Sequence, residues 1–178
     1  MIPPLRLVLS GGGIRGIAYV GCFLALKKRK LLKRVNEILS VSCGAMFGFA
    51  FSLGYSPKEL ETFIEKFDFT LMQDIEPEHI LEFLDRFGVD SSRNFERLLE
   101  LVLKEKGFST YLTFEDHFKQ THIFFRCFAT NLYNCEYTEF SYKKLHRYES
   151  LTQFLLHHRF QVTLYQKILK MFYMLMVV

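Results

Sequence analysis

Tryptophan is absent from this 178-residue chain, and cysteine and proline are scarce, with four of each. No two cysteines form a C-x-x-C pair. Cys22, Cys43, Cys127 and Cys135 also keep no metal-ligand spacing with the six histidines. Neither a disulfide framework nor a zinc site is expected, and the cysteines read as buried or free thiols of a reducing compartment. The N-terminal Met-Ile-Pro-Pro-Leu-Arg has no basic segment followed by an apolar core, so no signal peptide is expected. Charge is missing from residues 38–57, a stretch about long enough to span a bilayer. Ser40, Ser42, Gly44, Gly48, Ser52 and Gly54 interrupt that stretch, and it divides into a strand and a helix, so a transmembrane span is not expected. With 49% hydrophobic and 24% charged residues the chain is not expected to be disordered. Its length suits one domain with a sizeable core.

What is present is organised around two short stretches. Leu5 to Leu9 is an apolar run that stops in Ser10-Gly11-Gly12-Gly13, and Ile14 to about Lys30 reads as helix. Val35 to Val41 reads as a second strand that ends in Ser42, and Cys43 to Leu53 as a buried helix. Two strand–turn–helix units side by side bring the glycines and the serine to one edge of a parallel sheet. Glycine reaches positive φ and permits close backbone approach. A glycine loop that opens a helix presents unpaired N–H groups and the positive end of the dipole. That is a place for a phosphate or a developing oxyanion.

Two chemistries fit these residues. Gly11, Gly13 and Gly16 match G-x-G-x-x-G, so a nucleotide-binding module is one reading. It requires an acid at the end of the second strand, whereas Glu37 precedes the apolar run. Ser40-Val41-Ser42-Cys43-Gly44 is close to G-x-S-x-G, the nucleophile elbow, with Ser40 where glycine is usual. Taken by itself, Ser42 also reads as a helix cap.

Gly11-Gly12-Gly13-Ile14-Arg15-Gly16 after the first strand and Ser42-Cys43-Gly44-Ala45 with Gly48 after the second resemble the patatin-like phospholipases, a family of lipid acyl hydrolases. The resemblance runs from Leu5 to about Tyr142. It implies an α/β fold, a mainly parallel sheet flanked by helices. It implies that Ser42 is the nucleophile of a Ser–Asp dyad, with Ser40, Cys43 and Gly44 shaping the elbow. Gly11, Gly12, Gly13, Ile14, Arg15 and Gly16 would form the oxyanion hole, with the N–H groups around Gly12, Gly13 and Ile14 as donors and Arg15 organising the loop. The substrate implied is a lipid or phospholipid; no metal, cofactor or nucleic acid is called for.

The family's catalytic Asp lies in an Asp-Gly-Gly or Asp-Gly-Ala turn, and no Asp in this chain is followed by Gly. Asp68, Asp74, Asp85, Asp90 and Asp116 fall in or beside a predicted helical insertion, without that turn. An elbow facing a glycine loop with no carboxylate beside Ser42 Oγ is therefore expected, with activity lost or impaired. A non-catalytic interaction protein is a third reading.

The insertion spans about residues 56–119. Ser56-Pro57-Lys58-Glu59 is a capping box with Pro at the first helical position, placed after Gly54 ends the preceding helix. That helix should run to about Phe67. Pro77 opens another, with Ile80, Leu84 and Phe87 on one face. Phe95, Leu98, Leu99, Val102 and Leu103 form an amphipathic stripe that ends at Gly107, and Thr113 starts a short helix. Ile123 to Ala129 reads as a strand, residues 130–134 as a turn, and Glu136 to Tyr142 as an antiparallel partner. His117 and His122 read as structural or surface residues. Lys27, Lys28, Arg29, Lys30, Lys33 and Arg34 complement a helix C-terminus and form a patch suited to anionic membrane headgroups. The expected location is intracellular, cytoplasmic or membrane-peripheral.

Residues 1–142 thus read as the N-terminal part of a hydrolase domain, and 143–178 as an atypical tail without glycine or proline. Back-translated and read one nucleotide earlier, Met171-Phe172 forces Val, Phe172-Tyr173 forces Leu and Met176-Val177 forces Gly. The whole run admits Val-Leu-Tyr-Val-Asp-Gly-Gly. In the same frame His157 to Val162 admits Ser-Ser-Ile-Pro-Gly, and Leu151 to Phe154 admits Asp-Ala-Ile. These are the family's features at and before its catalytic Asp, so a reading frame lost between about Lys143 and Ser150 is expected.

Overall fold

The first two units fold as strand, tight turn and helix. β1 (Leu5–Leu9) runs into a 3-10 turn (Gly13–Ile17) and α1 (Ala18–Lys28); β2 (Val35–Val41) runs into α2 (Cys43–Ser52). α3 (Pro57–Lys66), α4 (Arg93–Glu105), α5 (Phe114–Thr121), β3 (Phe124–Asn131) and β4 (Glu136–Phe140) follow. The structure, a computed structural model, describes residues 4–68, 93–131 and 136–144. The helix predicted from Pro77 with Ile80, Leu84 and Phe87 lies outside the described residues. So do Asp74, Asp85, Asp90, Cys135, the Phe95 side chain and residues 145–178.

The four strands lie in the order β1-β2-β3-β4. The first three are parallel and β4 is antiparallel to β3. The fold is therefore α/β with a mostly parallel sheet. Register aligns Leu9 with Ser40 and Ser40 with Cys127, and it aligns Leu7 with Ile38 and Ile38 with Phe125. These rows face the helices. α2 packs close enough that a Cβ on Gly48 would lie 3.0 Å from both Ile38 Cγ2 and Leu9 Cδ1. Phe23 of α1, Ile38, Leu103 of α4 and Leu112 are the largest apolar side chains that this core buries completely.

Side chains alternate across a strand, so the intervening residues form the other face. There Arg6 pairs with Glu37. Arg126 donates to Glu37 at 3.1 Å and to Glu139 at 2.9 and 3.0 Å. This alternating ladder joins all four strands. Val8 and Tyr137, on the same face, are 76% and 78% exposed. β1 thus buries one face and leaves Val8 exposed beside Arg6 on the other.

Local signals place most boundaries. Ser56 Oγ accepts from the Glu59 amide while Ser56 N donates to Glu59 Oε2, which completes the capping box of α3. Gly54 (φ 93°) and Gly107 (φ 77°) terminate the helices before them in the left-handed region. Thr113 Oγ1 accepts from the Asp116 amide and starts α5. Leu99 and Leu103 of the α4 stripe are buried, and Tyr55 OH donates to Val102 O and Glu105 Oε2.

Three expectations shift. The first helix begins as a 3-10 turn whose first residue, Gly13, lies at φ 53°, outside the α-helical region, and its α part ends at Lys28. β3 continues through Asn131, past the start of the predicted turn. Tyr142 lies beyond the end of β4 and packs on Phe118 at 4.4 Å. Residues 38–57 divide into β2, α2 and the start of α3. No helix among the described residues is long and apolar enough to cross a membrane.

Candidate active site

β1 and β2 are adjacent and parallel, so their C-terminal ends deliver the glycine loop and Ser42 to the same edge. The contact is direct. A Cβ on Gly11 would lie 3.2 Å from Ser42 Cβ and 3.7 Å from Ser42 Oγ. Gly44, two residues after Ser42, is packed harder still: its Cβ would lie 2.5 Å from Leu9 O and 2.6 Å from Ser10 O. The end of β1 therefore rests on the first turn of α2, and the elbow requires glycine there.

Ser42 has φ 54° and ψ −130°. A non-glycine residue in this region costs of order 1–3 kcal/mol, which the packing around the turn must offset. Ser42 makes no side-chain cap, so the simple helix-cap reading does not describe it. Its carbonyl starts α2 by accepting from the amides of Ala45 (2.8 Å) and Met46 (3.3 Å). Its hydroxyl is buried and has no hydrogen-bond partner among the described residues. At the minus-two position, Ser40 is also buried, and its Oγ donates to Arg126 O at 3.0 Å. A strand-to-strand bond thus satisfies the hydroxyl at the position where glycine is usual.

The loop is held from several sides. Arg15 N donates to Gly12 O at 3.1 Å, which closes the 3-10 turn and commits the Arg15 amide internally. Gly13 is buried with φ 53°, while Ile14 is 44% exposed and Arg15 is exposed. The amides that open such a turn have no acceptor within it. Gly16 is buried against the elbow; its Cβ would lie 2.8 Å from Cys43 Sγ. Tyr19 OH donates to Ser10 O at 2.8 Å and lies 3.1 Å from Ser10 Oγ. No spacing rule in the sequence marks Tyr19. Its partner is nine residues away, and the contact exists only because the turn folds back.

Other candidate residues are placed elsewhere. Glu37 is committed to Arg6 and Arg126, so it is not free to meet a ribose in the manner of a dinucleotide site. His117 of α5 is fully buried against α2, with Nε2 2.8 Å from Ser52 Oγ. Ser52 Oγ donates to Phe49 O, so His117 Nε2–H is the donor to Ser52 and the buried Nδ1 is left unpaired. Burial holds His117 down to about 4, neutral at physiological pH. His122 is the left-handed C-cap of α5. Asp68 and Asp116 are the described aspartates; Asp116 accepts from Thr113 Oγ1. No cluster of three or more metal-ligating side chains occurs among the described residues.

The basic residues gather at the other end of the sheet. Lys27, Lys28, Arg29, Lys30 and Lys33 are exposed and form no ion pair among the described residues; Arg34 is half-buried. They close the last turn of α1 and fill the connection to β2, whose seven residues separate them from Ser42. At about 3.3 Å per residue the separation is roughly 20 Å.

Comparison with known proteins bears on the family and the fold. The family model for patatin-like phospholipases matches residues 7–158. A protein of Invertebrate iridescent virus 6 described as probable lipid hydrolase 463L is 29% identical over 137 residues, covering 77% of this chain and 47% of the viral protein. Among solved structures, full-length ExoU of Pseudomonas aeruginosa in complex with SpcU superposes with a TM-score of 0.61 at 22% identity, covering 83% of this chain and 37% of that one. VipD of Legionella pneumophila superposes with a TM-score of 0.59 at 19% identity, covering 85% and 41%. At those identities the structural likeness speaks for the fold. The chain spans just under half of its viral relative.

Proposed function

The chain belongs to the patatin-like phospholipase family, and on that premise we propose that its elbow and glycine loop are built to hydrolyse a lipid ester. One observation carries the reading: Ser42 sits at positive φ with an unpaired, buried hydroxyl directly against Gly11. A merely capping serine would accept from its helix and need no strain.

In the proposed reaction Ser42 Oγ attacks the acyl carbonyl, forming the new C–O bond. The carbonyl oxygen becomes an oxyanion held by the N–H groups around Gly12, Gly13 and Ile14. A single donor in such a hole is worth about 2.7–4 kcal/mol of barrier. Collapse of the tetrahedral species breaks the bond to the lipid alcohol, which leaves with the proton taken from Ser42. Water then hydrolyses the acyl-serine. The base would be the family's Asp, in the turn that the shifted frame of the tail admits. Residues 1–142 would then be hydrolase domain and 143–178 a tail out of frame. Asp68 and Asp116 are not proposed for that role, because neither lies in a turn of that kind.

The basic cluster is the second element of the proposal: a peripheral contact with anionic membrane through Lys27, Lys28, Arg29, Lys30, Lys33 and Arg34. Its distance from Ser42 makes it a tether and not the entrance for substrate.

The decisive experiment is ester hydrolysis by a frame-restored form of the chain with and without Ser42→Ala. Loss of turnover in the mutant is expected. Undiminished turnover would remove Ser42 from the mechanism.

A further inference from the structure

The elbow and the glycine loop are two separate pieces of chain, and the catalytic reading requires them to keep a fixed spacing. The side chain between them is Cys43. It is 1% exposed. Its sulfur lies 3.9 Å from Ser10 O, at the end of β1. A Cβ on Gly12 would lie 3.9 Å from the same sulfur, and one on Gly16 would lie 2.8 Å from it and 2.9 Å from Cys43 Cβ. Three successive parts of the loop, its entry, its apex and the turn that follows, thus close around one atom.

The amides of the site also act on that thiol. Burial pushes the Cys43 thiol up, and the backbone N–H groups of Gly44, Gly13, Cys43 and Gly12 pull it partly back. Two of these donors belong to the glycine loop and two to the start of α2. The sulfur is therefore under the influence of both pieces. A buried thiol whose ionisation is opposed by burial is a poor nucleophile, so chemistry at sulfur does not explain its placement. Packing does: a soft, small, weakly accepting atom fills the gap without demanding a strong hydrogen bond from donors needed elsewhere.

We propose that Cys43 is a positioning residue of the oxyanion cradle, its sulfur setting the distance between the glycine-loop amides and Ser42. The proposal rests on the hydrolase reading above. Alanine at position 43 leaves the elbow small enough to form but removes the atom that Ser10, Gly12 and Gly16 close around. Serine keeps an atom at that place.

The test uses the 178-residue chain and its Cys43→Ala and Cys43→Ser variants, with two readouts. The first is amide hydrogen exchange. Cys43→Ala should speed exchange in residues 10–16 by about tenfold, as expected for a local opening, with α4 and β3 unchanged; Cys43→Ser should restore protection. The second is labelling by a long-chain alkyl fluorophosphonate, followed by mass spectrometry of the Ser42 peptide. Ser42 Oγ bonds to phosphorus, fluoride leaves, and the serine proton passes to buffer. The phosphoryl oxygen occupies the cradle. Cys43→Ala should slow labelling by about tenfold, a part of the 10²–10³ that loss of a whole donor costs, and Cys43→Ser should recover most of it.

Wild-type exchange and labelling in Cys43→Ala would overturn the proposal. So would faster exchange throughout the molecule, which would make the residue ordinary core. Faster loop exchange with unchanged labelling would also overturn it, since the donors would not depend on the sulfur. If Ser42 of the native chain takes no label, label is sought on the frame-restored form, and its absence there too ends the hydrolase reading. Exchange alone then decides whether Cys43 spaces the loop.

Discussion

Gly44 and Leu9 meet at the elbow so closely that a single added methyl group on Gly44 would stand 2.5 Å from the Leu9 carbonyl oxygen. The obstacle is backbone at the end of a strand already paired with β2, so it cannot swing aside as a side chain would. Gly44→Ala must separate β1 from α2 or shift the turn. A loss of about 3 kcal/mol is expected, within the range of severe packing errors. In a domain of this size that lowers the unfolding midpoint by about 6–12 °C. Gly48→Ala meets side chains of Ile38 and Leu9 at 3.0 Å and should cost less. Thermal unfolding followed by circular dichroism ranks the two; equal midpoints would contradict the packing described here.

Ser42 offers the opposite experiment. Its φ of 54° is native to glycine and strained for any other residue. Ser42→Ala keeps the strain, while Ser42→Gly removes it at a smaller entropic cost in the unfolded chain. Ser42→Gly should therefore unfold about 2–4 °C above Ser42→Ala, the shift expected for about 1 kcal/mol. An Ala variant as stable as the Gly variant would mean that the turn is relaxed.

How much of this was legible in the sequence depends on how local each signal is. Both strand–turn–helix units, the α3 capping box, the Gly54 and Gly107 stops and the antiparallel β3–β4 pair are written in neighbouring residues, and they form there with only their ends shifted. The outer ladder of Arg6, Glu37, Arg126 and Glu139 was not legible, since its members are up to 133 positions apart and only register brings them together. The same holds for the Tyr19–Ser10 bond and the Ser52–His117 pair. Within the candidate site, the motif named Ser42, the glycines and Cys43 as part of the elbow, but not the loop that closes over the Cys43 sulfur, since that contact joins residues about thirty positions apart.

His117 gives a pH prediction. Its pKa falls from 6.5 to about 4 on folding, because burial penalises the charged ring. The unfolded chain thus binds a proton that the folded chain refuses between those values. The associated stability is complete above about pH 6.5 and is lost as pH falls toward 4, by about 3 kcal/mol in total. Glu139, lowered by Arg126, adds a loss that begins below its ordinary 4.5. Denaturant midpoints measured from pH 7 to 4.5 should fall in the native chain and stay nearly flat in His117→Leu, which starts lower for want of the Ser52 bond. Parallel profiles would show that another group titrates.

The basic cluster predicts binding that depends on headgroup charge and salt. Five exposed cations without ion pairs among the described residues, at about 1 kcal/mol each near an anionic surface, should hold the chain on phosphatidylserine vesicles at low salt. Binding should drop steeply above physiological ionic strength, where the Debye length is below about 8 Å. Reversing Lys27, Lys28 and Lys30 to Glu should abolish it. Because the cluster lies roughly 20 Å from Ser42 by strand length, the same reversal should leave hydrolysis of a short-chain soluble ester by the frame-restored form unaltered. Binding to neutral phosphatidylcholine alone would point to an apolar contact instead.

The last expectation concerns activity. A serine hydroxyl becomes a competent nucleophile only when a base removes its proton, and positioned general-base catalysis contributes about 10²–10⁴-fold. Ser42 Oγ has no partner among the described residues, and no Asp of the chain stands before Gly. The elbow and glycine loop depend only on local units and on the β1–β2 pairing, so they can form without the tail. The 178-residue chain should therefore fold its half of the site and hydrolyse lipid esters at least about 10²-fold more slowly than the frame-restored form. Ser42→Ala should remove the activity of the restored form and change the native chain little. The coding sequence supplies an independent check: codons at Leu175 and Met176 that cannot yield Asp in the earlier frame would end the frame argument. Robust turnover by the native chain that disappears in Ser42→Ala would show that a base is already in place.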